Sequence, residues 1–145
     1  MPFAPNSILP VTITASATLD RQKHLGATVN LSAAAGLTVT LPASSGKGDE
    51  YELFVLTTVT SNNYVIQVAN ATDIIQGGIA LSTDIGGTNL LTAATTDTIT
   101  MNGSTTGGLK GTWLKLKDVS SGVWMLSGFL ITTGVEATPF SAAVS

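Results

Sequence analysis

The 145-residue chain contains no cysteine, so its fold owes nothing to disulfides or thiolate metal sites. It has a single histidine, His24, and one imidazole without thiolates cannot anchor a usual zinc site. Charge is scarce: Asp, Glu, Lys and Arg make up 10% of the residues, against roughly 25% in ordinary soluble domains. Long apolar runs are missing too. The best of them, "VWMLSGFLI" (123–131), is broken by Ser127 and Gly128, well short of the about 20 residues a spanning helix requires. This argues against a membrane partner. The opening "MPFAPNSILP" holds three prolines and no basic residue, so it does not read as a secretory signal, and cytoplasmic synthesis is the expectation. Six Lys and Arg are scattered through a chain of net charge −3, which argues against a nucleic-acid partner, because such proteins cluster cations to neutralise phosphates. Lys110, Lys115 and Lys117 form a local basic group, and they read as a solvated strand face.

What is present is apolar and β-forming. Hydrophobic residues make up 43% of the chain, and the mean hydropathy is +0.38. That is too apolar for disorder, and too poorly charged for a monomer whose whole surface meets water. A large protein–protein interface satisfies both. Segments such as "VTITASATL" (11–19), "LTVTLP" (37–42), "YELFVLTTV" (51–59), "NYVIQVAN" (63–70) and "TWLKLKDV" (112–119) alternate apolar with polar residues, the period of a strand with one buried face. Threonine, whose β-branch favours strands, is abundant, and no segment keeps helical spacing over a dozen residues. The expectation is an all-β, antiparallel β-sandwich or β-barrel-like single domain over 11–133, with an extended N-terminal arm (1–10) and a C-terminal tail (134–145). "SNN" (61–63) and "SSG" (120–122) sit at hairpin distance between strand patterns. Residues 77–96, with "GG" twice and little alternation, read as a long loop or a pair of short strands.

One stretch imitates a catalytic signature. In "LPASSGKGDEYELFVL" (41–56), Gly46-Lys47-Gly48 precedes an apolar run, as in a phosphate-binding loop. The required G-x-x-x-x-G-K-[ST] fails twice, because Leu41 stands in place of the first glycine and Gly48 in place of the hydroxyl. Asp49 and Glu50 would repel a phosphate, and the following strand pattern supplies no helix N-terminus. The loop reads as a turn.

Other chemistry is thin. His24 lies four residues from Asp20 in no recognisable catalytic motif, and reads as a structural or interface histidine rather than a general base. Asp73, Asp84 and Asp97 invite a calcium reading, but each follows a threonine near a strand boundary, where Asp commonly supports a turn. Trp113 and Trp124 suggest a sugar platform, though core packing or a subunit interface is the plainer role for tryptophans on paired strands. The sequons at Asn30, Asn70 and Asn102 carry no weight without a secretion signal. No catalytic residue, cofactor, metal or small-molecule substrate is expected.

The succession "RQKHLGATVNLSAAAGLTVTLPASSGKGDEYELFVLTTVTSNNYVIQVANATDIIQGG" (21–78), with "GTWLKLKDVSSGVWMLSG" (111–128), resembles small β-rich structural proteins of tailed bacteriophages. It is similar in particular to their capsid decoration (cement) proteins. The shared features are a "TLP" strand end, a Gly-rich turn with an acidic residue, the "SNN" turn and a closing "W…W.LSG" hairpin, together covering about half of the chain. Related modules occur in tail fibres, which leaves a receptor-binding module as the alternative. The resemblance implies a homotrimer on the outer capsid surface of the virion, bridging neighbouring major capsid protein subunits, and it carries over no active site. The arm then becomes the expected capsid contact. Pro2, Pro5 and Pro10 favour an extended segment, and Phe3, Ile8 and Leu9 supply apolar anchors. Trp113, Trp124 and Phe140 are the expected oligomer or core aromatics, with Phe140 a second possible anchor in the tail.

Overall fold

A computed structural model describes residues 8–145, and the alternation in its first half governs the architecture. In β3 (Thr28–Leu31), β4 (Leu37–Thr40), β5 (Glu50–Val55) and β6 (Tyr64–Gln67), every second side chain is buried. Val29, Leu31, Leu53 and Val55 face Val39, Leu41, Tyr64 and Ile66 in one shared core. These strands do not pair with their sequence neighbours. With β1 (Val11–Ile13) and β2 (Ala17–Thr18) they alternate between two sheets, so that β1, β3 and β5 run parallel in one while β2, β4 and β6 run parallel in the other. Parallel neighbours require a long crossover, which is usually a helix. Here each crossover travels through a strand of the opposite sheet.

The second half closes both sheets. β7 (Ile74–Thr83) and β8 (Gly86–Leu91) form a hairpin, as do β10 (Trp113–Ser120) and β11 (Val123–Ile131). The larger sheet has the order β1-β3-β5-β10-β11-β7-β8. The smaller contains β9 (Thr98–Met101) and β12 (Phe140–Ser141), in the order β12-β9-β6-β4-β2. The expected all-β sandwich is present, and its sheets are mixed rather than purely antiparallel, since five strand pairings among the described residues are parallel.

Local departures from the sequence reading have physical causes. "VTITASATL" is two strands, because the chain leaves the large sheet after Ile13 and enters the small one at Ala17. "SSG" makes the expected hairpin, whereas "SNN" carries the chain from β5 to β6 in the other sheet. Of the two readings of residues 77–96, the paired strands are the one present, and they are longer than expected: the ten-residue β7 begins at Ile74 and pairs with β8. A one-turn helix, α1 (Arg21–His24), is too short to leave a periodic trace. Its cap is reciprocal: the Asp20 carboxylate accepts from Lys23 N–H at 2.8 Å, and His24 Nδ1 accepts from Asp20 N–H at 2.9 Å. The C-terminal segment joins the small sheet through β12, and Phe140 packs against the core.

Candidate functional site and interaction surfaces

The loop that imitates a phosphate site does hold an anion, and the anion is the protein's own. Backbone N–H groups of Ser45, Gly46 and Lys47 donate to the Asp118 carboxylate at 2.9, 2.7 and 3.4 Å, and Ser45 Oγ–H donates at 3.1 Å. Successive N–H groups converging on one carboxylate form an anion-binding nest. The preceding residue is held likewise, with Ser44 N–H donating to Asp73 Oδ2 at 2.8 Å. Asp118 reaches this position from the end of β10, where a bulge interrupts its pairing with β11. Burial by itself would push the Asp118 carboxyl up. The hydrogen bonds from Gly46, Ser45 and Lys47 outweigh it and hold the carboxyl below its ordinary value of 3.8. The Lys47 side chain is exposed, and only its backbone enters the nest.

The remaining titratable candidates are structural in the same way. Asp97 is buried, and accepts from Ala143 N–H at 2.8 Å, Val144 N–H at 3.2 Å and Thr98 Oγ1–H at 2.7 Å, fastening the C-terminal segment. Burial would push its carboxyl up, but the bonds from Ala143, Thr98 and Val144 prevail and hold it below 3.8. Asp84 lies exposed in the β7–β8 turn while Asp73 and Asp97 are buried in separate contacts, so the three do not converge as a calcium site. Among the described residues no cluster of three metal-ligating side chains occurs. His24 is buried with its Nδ1 already accepting from its own helix cap.

A pH dependence follows from the two latches. A lowered folded-state pKa means the stabilisation is complete above the ordinary value and is lost as pH falls through the lower, folded-state value. Melting temperature is therefore expected to fall steeply below pH 3.8. The Asp97→Asn/Asp118→Asn double variant should start lower and fall less. Parallel melting-temperature curves for the two proteins would show that other carboxylates govern the acid limb.

The aromatic candidates separate. Trp124 is 1% exposed and lies against Tyr51 with ring centroids 6.0 Å apart, inside the sandwich. Trp113 is 38% exposed on the outer face of the large sheet. The two tryptophans therefore cannot form one platform. Sequence reading missed the partners that Trp113 does have: its register neighbours are Phe54 on β5 and Phe129 on β11, three aromatics side by side. Phe54 lies in "YELFVL" and Phe129 in "SGFLI", and only the strand register brings them together.

A second apolar surface lies at β8, an edge strand of the large sheet among the described residues. β8, "GGTNLL", carries no charge and no proline, the two common defences of an edge strand against further pairing. Ile85 is 97% exposed at its turn and Leu91 is exposed at its end, with exposed Val135 near Ile85. Of the arm candidates, Ile8, Leu9 and Pro10 are exposed beside β1, and Ile8 Cδ1 reaches towards Gly26. Pro2, Phe3 and Pro5 lie outside the described residues. Comparison with protein-family models, curated proteins and solved structures finds no match.

Proposed function

We propose that this chain is a structural virion protein that decorates and cements a phage capsid, assembling with copies of itself, as a trimer, and bridging neighbouring major capsid subunits. The observation that carries the reading is the charge-free β8 edge with exposed Ile85 and Leu91, an edge that a solitary soluble protein would protect. The low overall charge and the phage-protein resemblance support it. A lattice-bridging trimer stabilises the shell because it binds the assembled lattice and not free subunits, and several arms acting together multiply modest contacts.

Two measurements test the proposal. Quantitative mass spectrometry of purified virions should give hundreds of copies, in a simple ratio to the major capsid protein. A few copies would move the protein to the tail, and absence from the particle would end the virion reading. Deleting residues 2–10 should abolish capsid binding while leaving the folded oligomer intact, and undiminished binding would remove the arm from the contact.

A further inference from the structure

One line of side chains crosses the whole large sheet. Taken through the strand register, it runs Thr12, Asn30, Phe54, Trp113, Phe129, Ala80, Asn89, one residue from each of the seven strands. Three aromatics occupy the centre, and amides and a hydroxyl occupy the flanks. Adjacent strands lie about 4.8 Å apart, so Phe54 and Phe129 stand roughly 10 Å apart with Trp113 between them. No charged residue belongs to the line. In the next row Lys115 stands opposite Glu52, and in the row beyond Lys117 stands opposite Glu50, with Lys115 Nζ 3.5 Å from Glu50 and 3.9 Å from Glu52, so the two rows balance in charge. Beside Phe129, a shallow hollow is lined by Ala80, Ser82, Thr88 and Asn89.

We infer that this line binds a neutral polysaccharide laid across the strands. A pyranose ring presents a face of C–H groups that stacks on an aromatic ring, while its hydroxyl edge seeks amide and hydroxyl partners. An apolar floor with a few placed polar groups is the usual make-up of a small-ligand site. The aromatic centre supplies the stacking, and Asn30, Asn89 and Ser82 supply the edge contacts.

The competing occupants fit less well. Trp113 and Phe129 are 38% and 36% exposed and Phe54 is half-buried, and an aromatic side chain covers about 150–250 Å², so the row offers at most roughly 200 Å². A stable protein pair needs about 800 Å² from each partner. Single-stranded nucleic acid also stacks on aromatic rows, but within a positively charged groove, and this face carries a balanced set of glutamates and lysines. The inference does not rest on the capsid reading and stands or falls apart from it.

The test uses the full chain. A printed array of neutral and anionic glycans identifies the class, and affinity electrophoresis in gels containing hydroxyethyl cellulose or dextran measures retardation. Emission from exposed Trp113 should shift on binding while buried Trp124 stays constant. Trp113→Ala and Phe129→Ala should each weaken binding at least tenfold, Trp113→Phe should retain part of it, and Met125→Ala, on the same face away from the row, should leave it unchanged. Binding to no neutral glycan would overturn the inference, as would equal retardation of Trp113→Ala. So would a preference for single-stranded DNA, or an oligomer that light scattering shows to dissociate on Trp113→Ala, which would assign the row to a second copy.

Discussion

Asp118→Ala is expected to lower stability by about 3–5 kcal/mol, because it removes a buried carboxylate on which four donors of the 45–47 loop converge, and a hydrogen bond to a charged group contributes about 1.5–3 kcal/mol. For a chain of this size, that is a fall in melting temperature of roughly 15 °C. Asp118→Asn should cost less, since it keeps one acceptor oxygen but turns an NH₂ towards the donors. Lys47→Ala is the informative control. The Lys47 side chain is exposed and only its N–H enters the nest, so the change should stay within about 0.5 kcal/mol. Thermal unfolding of the three variants decides the matter. A Lys47→Ala loss as large as that of Asp118→Ala would mean the loop is held by its side chain and not by its backbone.

The second large effect is expected at Gly77→Ala, at about 3–4 kcal/mol. Gly77 has φ = +145° in the interior of β7, and a Cβ there would run into the Leu126 carbonyl oxygen of the neighbouring β11. A backbone conformation that L side chains rarely adopt costs about 1–3 kcal/mol, and the collision with a paired strand adds to it. Thr92 locks the position from the other side, its Oγ1 accepting from Gly77 N–H at 3.0 Å. Gly86→Ala, in the same hairpin, meets nothing within 4 Å. It should be neutral or slightly stabilising, by at most about 1 kcal/mol, through the unfolded chain. Denaturant melts of the two variants should separate widely, and equal losses would show that hairpin glycine content, not the approach to Leu126, governs the effect.

These glycines also explain where the sequence was legible. Alternation in "LTVTLP", "YELFVL" and "TWLKLKDV" named the buried faces correctly, because burial of one face imposes a period of two whichever strand lies alongside. It says nothing about pairing, so the parallel order β1-β3-β5 was not visible and "SNN" read as a hairpin turn. Around Gly77-Gly78 the reading stayed open between a loop and short strands because glycine marks both turns and close strand approaches, and only the position of Leu126 tells them apart. The mismatched phosphate-loop motif read as a turn. That its N–H groups still bind an anion was hidden because Asp118 lies more than seventy residues away. The row of Phe54, Trp113 and Phe129 was hidden for the same reason, since register is a property of the assembled sheet.

The winding of the first six strands bears on how the molecule fails. Each successive strand is laid on the opposite sheet, so neither layer is drawn from one continuous piece of chain. A cut in the crossing between β4 and β5 would leave both layers unfinished and give neither fragment a core of its own. Order in this protein is shared between the halves of the polypeptide, and local damage becomes a loss felt by the whole.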